Sequence, residues 1–198
     1  MQRKFLTNLI LLLFLNFLVK PFWILGIDRS VQNVVGSDYG FYWAIFNFSF
    51  LLNILLDLGI TNFNNRNIAQ NRQLLNKHFS GIIVLKSVLG LLYFAVTFSI
   101  ALIIGYKGQQ LYFLIFIAFN QFLISLILYL RSNISGLLMF RTDSIISVLD
   151  RLLMILICSF LLWGNITHAP FKIEWFIYAQ TAAYSLTALT ALVIVIRK

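Results

Sequence analysis

Apolar residues run along this chain in long, nearly unbroken stretches, at residues 5–26, 41–60, 79–104, 111–131, 148–164 and 173–196. A hydrocarbon core about 30 Å thick is crossed by roughly 20 mostly apolar residues in a helix, and these six stretches meet or approach that length. The fifth is the shortest. Strands of a transmembrane barrel alternate polar and apolar side chains, and runs this dense do not. The pattern predicts an all-α, polytopic helical membrane protein, with six transmembrane helices forming one bundle and a single transmembrane domain over residues 1–198.

Composition strengthens that reading. Of 198 residues, 61% are hydrophobic and 11% charged, and the mean hydropathy is +0.90. A soluble fold of this size leaves too much surface wet to hide so many apolar side chains. The formal net charge of +9 would suggest nucleic acid in a soluble protein, but here topology explains it. With the N-terminus inside, inner segments hold Arg3, Lys4, Arg66, Arg72, Lys77, Arg131, Arg141, Arg151, Arg197 and Lys198, and outer loops hold only Arg29, Lys107 and Lys172. Basic residues mark the cytoplasmic side, which places both termini there. No basic cluster interleaves with aromatics as in an RNA-binding surface, so the bases orient helices and meet membrane lipids. Arg3-Lys4 before an apolar run resembles a signal peptide, yet bulky Lys20-Pro21-Phe22-Trp23 stands where small cleavage-site residues belong, which predicts a retained first span. The single cysteine, Cys158, supports neither a disulfide framework nor a metal site.

The connections differ in kind. Residues 105–110 and 165–172 read as short outer turns, broken by Gly105, Gly108 and Pro170. Residues 61–78 and 132–147 are longer inner segments, and the first of them is expected to continue as a helix at the membrane surface. The outer loop 27–40 ends in Gly36-Ser37-Asp38-Tyr39-Gly40, where Ser37 or Asp38 is expected to cap the second helix.

Polar residues inside spans mark interior surfaces, because a charge in lipid costs several kcal/mol. Lys20, with Asn16 one turn earlier, lies toward the outer part of the first span, beside a helix-bending Pro21. It either snorkels to headgroups or lines a cavity. Lys86 lies about seven residues, hence about 10 Å, into the third span, and Gly90, Tyr93 and Thr97 share its face. It either reaches back to the inner interface or faces a water-filled cavity. Ser49, Asn53 and Asp57 form a stripe at successive i+4 steps on the second helix. Gln121, Ser125 and Tyr129 repeat the arrangement on the fourth, and Gln180, Tyr184 and Thr187 do so on the sixth. Any one stripe is explained by interhelical hydrogen bonding, whereas stripes on most helices favour a polar vestibule. Asp150-Arg151 opens the fifth span as an internal or interfacial ion pair.

No catalytic constellation is visible. His78 and His168 fall on opposite sides of the membrane, Glu174 is alone near the outer surface, and no nucleophile elbow or phosphate-binding glycine loop occurs. The expectation is a non-enzyme with no metal and no cofactor.

Val35-Gly36-Ser37-Asp38-Tyr39-Gly40-Phe41-Tyr42 precedes a helix that exits through Leu56-Asp57-Leu58-Gly59-Ile60 into Arg66-Asn67-Ile68-Ala69. This order and spacing resembles the polysaccharide-exporter, or O-antigen flippase, branch of the multidrug/oligosaccharidyl-lipid/polysaccharide flippase superfamily. Members show a glycine and an acidic-aromatic-Gly step before helix two, then an Asp-Leu-Gly exit and an Arg-x-Ile-Ala stretch. The matching positions are Gly36, Gly40, Asp57, Gly59 and Arg66, which read as shaping the helix rather than touching substrate. The resemblance implies translocation of undecaprenyl-diphosphate-linked oligosaccharide, the O-antigen or capsule repeat unit, across a bacterial inner membrane by alternating access. Members have about twice this many spans, as transporters built from two repeats do. The chain therefore corresponds to the N-terminal lobe, and a second six-helix lobe or a second copy is the implied partner. Within that reading Lys20 and Lys86 would supply positive charge to a cavity, and Asn16, Asn53, Gln121 and Gln180 would hydrogen-bond sugar hydroxyls. The alternatives are a cation-coupled multidrug exporter, with Asp57 or Asp150 as its membrane carboxylate, and a membrane enzyme acting on lipid-linked glycans.

Overall fold

A computed structural model describes residues 2–164 and 170–197, with side chains from residue 10 onward except that of Asn76. His168, most of the turn expected over 165–172, and Lys198 lie outside the described residues. The described chain is 89% helix, with no strand among these residues. Helix α1 (Gln2–Phe22) passes through a π turn (Trp23–Asp28) into α2 (Arg29–Val35), followed by α3 (Ser37–Leu51), a 3₁₀ turn (Asn53–Leu56), α4 (Ile60–Gln70), α5 (Leu74–Ile104), α6 (Gln109–Gly136), α7 (Phe140–Trp163) and α8 (Ile173–Ile196). Five helical stretches are long and apolar enough to cross a membrane: Ile10–Val35, Lys77–Ile104, Gln109–Gly136, Phe140–Trp163 and Ile173–Ile196. Ser37–Leu51 and Asn53–Gln70 pass the same test only together, across a bend of 54°. The chain is therefore a helical, multi-pass membrane protein with five such helices, or six if the bent pair is one span.

Hydrophobicity all round a helix is the mark of surroundings without water. Helix α6 is the most enclosed, and Phe113, Leu114, Ile117, Ala118, Leu130 and Ile134 are all buried along it. Its neighbours turn apolar side chains outward, among them Phe17 at 81% exposed, Leu91 at 72% and Ile103 at 83%. Polar side chains without water fall back on their own helix. Ser30 donates to the Gly26 carbonyl at 2.6 Å, and Thr187 to the Ala183 carbonyl at 2.8 Å. Helix α1 packs mainly on α7, and α3 mainly on α6. Asn16 Nδ2 donates to Ser147 Oγ at 3.4 Å and Trp23 lies under Arg151, so α1 and α7 run in the same direction.

Several connections are tighter than the sequence pattern suggests. The stretch 27–40 is helical except at Gly36, whose φ of +63° turns α2 straight into α3. With no extended residue before the helix, neither Ser37 nor Asp38 caps it. Instead the Gly36 carbonyl accepts the Tyr39 N–H at 3.2 Å. Pro21 does not end the first helix, which continues through the π turn that follows it. The inner segment 132–147 is mostly helix, with α6 and α7 separated by residues 137–139 alone. Arg131 clasps Asp143 across that turn with bonds of 2.7 and 3.3 Å. Asp150 and Arg151 consequently stand well inside α7, not at its opening.

Candidate functional site

Two charged regions lie at membrane depth. The first is the joint where the second span breaks. After Leu56 the backbone takes left-handed conformations at Leu58 (φ 45°) and Gly59 (φ 83°), which only a residue without Cβ adopts freely at the second step. The Asp-Leu-Gly exit is thus part of the 54° break that starts α4. Asp57 holds it on both sides. Its carboxylate accepts Thr61 Oγ1 at 2.5 Å and the Thr61 N–H at 3.4 Å, and it accepts Lys86 Nζ at 2.5 Å. Lys86, 1% exposed, also donates to the Leu56 carbonyl at 3.0 Å and to Ser125 Oγ at 2.8 Å. An ammonium has three protons, and all are placed. Ser125 Oγ in turn donates to the Leu56 carbonyl at 3.0 Å. Two turns of α5 further along, Tyr93 shares its hydroxyl with Ser49 Oγ at 2.5 Å and with the Ser49 carbonyl at 3.0 Å. Lys86, expected to line a cavity or snorkel, does neither: it ties α5, α6 and the broken span together.

The joint extends into α4. Asn64 is buried and donates from Nδ2 to Ser132 Oγ and to Asn133 Oδ1, both at 2.9 Å. Ile68 lies so close to α6 that a Cβ on Gly136 would stand 2.9 Å from its Cβ and 3.2 Å from the Asn65 carbonyl oxygen. Arg66 is exposed on the opposite face.

The second region is open. A cavity of about 250 Å³ is bounded by α1 and its π turn (Lys20, Trp23, Asp28), α3 (Tyr42, Trp43, Phe46), α7 (Arg151) and α8 (Phe176, Gln180, Tyr184). Phe176, Gln180 and Tyr184 repeat every fourth residue, so one face of α8 supplies that wall. They sit about 5–16 Å along the helix from its first residue, at 1.5 Å per residue. Arg151 Cζ lies 5.5 Å from the Trp23 ring centroid, and Arg151 Nε lies 3.6 Å from Asp150 Oδ2. Asp28 interacts electrostatically with Arg151 and sits beside Tyr39. Tyr42 donates to Gln180 Oε1 at 3.1 Å and accepts from Gln180 Nε2 at 2.7 Å, which ties α3 to α8. The rim is apolar, with Ile24 56% exposed and Trp43 39% exposed.

Of the residues singled out in the sequence, the cavity gathers Lys20, Arg151, Gln180 and Tyr184. Asn16 lies one turn below Lys20. Asn53 is half-buried in the 3₁₀ turn, which interrupts the expected Ser49–Asn53–Asp57 stripe. Gln121 is buried on α6, and its Nε2, like both side-chain polar atoms of Asn120, has no hydrogen-bond partner among the described residues. Gly40 is exposed on α3. Sequence reasoning missed Asp28, Tyr42 and Trp23 as cavity residues, and read Arg151 only as half of an ion pair with Asp150. The signal for Asp28 was present: Ile27, Val31 and Val35 continue the helical period through the supposed loop until Gly36 stops it. Among the described residues no group of three His, Cys, Asp or Glu side chains could hold a metal ion. Compared with known protein families, curated proteins and solved structures, the chain matches none of them.

Proposed function

We propose that this protein translocates undecaprenyl-diphosphate-linked oligosaccharide across a bacterial inner membrane, as the N-terminal six-span half of a two-lobe flippase or as one of two copies. Both termini then face the cytoplasm. The observation that carries the reading is the aromatic cavity between α1, α3, α7 and α8, with Lys20 and Arg151 on its lining. A diphosphate needs positive charge once it leaves water, and Arg151 and Lys20 supply it. Trp43 offers a face on which a sugar ring can stack, and Gln180 and Tyr184 offer hydrogen bonds to its hydroxyls. The exposed apolar side chains of α1 leave the polyprenyl tail in lipid. In this reading Lys86, with all its protons committed, positions helices and does not meet substrate.

A cation-coupled exporter is the second reading, favoured by Asp28 facing the same cavity. The test uses the native host. Arg151→Gln is expected to cut surface glycan at least about tenfold, the cost of losing one charged hydrogen-bond donor, with lipid-linked oligosaccharide accumulating unflipped and protein abundance unchanged. Normal surface glycan at normal abundance would overturn the flippase reading, and loss of drug tolerance instead would favour the exporter.

A further inference from the structure

The charges around the cavity balance. Lys20 and Arg151 are positive, Asp28 stands on the same lining, and Asp150 pairs with Arg151 from the side. A bare anion entering this region leaves it net negative, so a diphosphate cargo would have to enter with a counter-cation. A ligand carrying one charge of each sign leaves it neutral, which is the cheaper occupant in a low dielectric. We propose that the cavity binds a zwitterionic phosphoamine headgroup, as in phosphatidylethanolamine, with its phosphate toward Lys20 and Arg151 and its ammonium toward Asp28 and the faces of Tyr42 and Trp43.

Three observations fit that occupant. At about 250 Å³ the cavity is smaller than the roughly 300–1,000 Å³ of drug-sized sites, which suits a headgroup and not a whole lipid. Its rim is apolar at Ile24 and Trp43, and Phe22 and Leu25 continue the exposed apolar surface at 57% and 67%. Acyl chains can therefore lie outside while the headgroup sits inside. An ammonium over the tryptophan or tyrosine face gains a cation–π contact that a neutral or anionic group does not. The wall formed by Phe176, Gln180 and Tyr184 begins about 5 Å along α8 and descends from there. A lipid bound here has drawn its headgroup below the membrane surface.

This inference goes beyond the flippase reading and does not depend on it, since it is tested in vitro without glycan. The full chain, purified and reloaded from vesicles of equal phosphatidylethanolamine and phosphatidylglycerol, is expected to retain phosphatidylethanolamine preferentially by native mass spectrometry. Asp28→Asn removes the ammonium's partner and should move the ratio about tenfold toward phosphatidylglycerol, the size of one charged hydrogen bond. Displacement by soluble phosphoethanolamine would assign recognition to the headgroup alone, and resistance to it, with the preference kept, would assign it to the intact lipid. Equal retention of both lipids by the unaltered chain, or an unchanged ratio in Asp28→Asn, overturns the proposal. Should Asp28→Asn fail to fold, Lys20→Glu on the exposed rim serves instead. It makes the cavity more negative and is expected to sharpen the preference for phosphatidylethanolamine over anionic phosphatidylglycerol, and an unchanged preference overturns the proposal equally.

Discussion

Lys86 and Arg151 are both cations at membrane depth with an aspartate beside them, yet their surroundings make them opposites. Lys86 is enclosed, each of its protons has an acceptor, and one of those acceptors is the backbone at the break in the second span. Arg151 borders the cavity, its aspartate stands 3.6 Å off, its guanidinium lies over Trp23 and bonds Tyr184, and its five donors exceed these partners. The difference teaches that charge inside a membrane protein does not by itself mark a ligand site. Saturation of donors marks a structural joint, and unsaturated charge beside a cavity marks a place where something can bind.

Removing the joint's cation should therefore have the largest effect on stability. Lys86→Ala leaves Asp57 without its cation and takes one of two donors from the Leu56 carbonyl. Losing one partner of a buried pair costs about 3–5 kcal/mol. Asp57 keeps 34% of its side chain exposed, which puts the expected loss near the lower end, about 3 kcal/mol. It would be read as a fall in the thermal unfolding midpoint in detergent. Pairing Lys86→Met with Asp57→Asn should recover much of that loss, because replacing both charges strands neither. A Lys86→Ala chain as stable as the parent would erase the distinction drawn between the two regions.

Gly136→Val probes the same joint from its α4 side, with a smaller effect. The new Cβ would meet Ile68 at 2.9 Å and the Asn65 carbonyl at 3.2 Å, and the second of these is backbone. Overpacking of this kind costs about 1–3 kcal/mol. If the α4–α6 contact is part of what holds the bent span, the variant should also speed proteolysis near Asn71–Gln73, measured as cleavage rate in detergent. Unaltered cleavage and melting would confine the joint to Lys86 and Asp57.

The two regions were not equally legible in the sequence. Helical class and membrane character follow from apolar runs alone, and the stretches expected at 79–104, 111–131 and 173–196 fall within α5, α6 and α8. Connections were misjudged wherever a polar tract was taken for a loop. Residues 27–35 and 140–147 are helical because their few apolar positions keep the helical period, and in a membrane protein such tracts bury one face on a neighbour. That error left Asp28 in an outer loop and Arg151 at the opening of the fifth span, and hid half the cavity. Lys86 posed a different problem. Its depth was readable from position, but whether a buried lysine is sated or available depends on Asp57, 29 residues away, and on a backbone carbonyl freed by a helix break. No local pattern in the sequence encodes that freed carbonyl.

The smallest stability effect belongs to Lys20, and it tests the comparison from the side of the cavity. Lys20 is exposed on the rim, and among the described residues no hydrogen bond or ion pair holds it in place. Exchanging an exposed side chain of this kind changes stability by no more than about 0.5 kcal/mol, so Lys20→Gln should melt with the parent. Its effect should fall on ligand retention, because it removes one of the two cations that face the cavity while leaving Arg151 with Asp150. A chain with unchanged melting and weakened lipid or glycan-lipid binding separates charge that holds the fold from charge that meets a ligand. A Lys20→Gln chain that melts early would instead mean that α1 relies on this rim for its packing, and the cavity would then be read as a second joint.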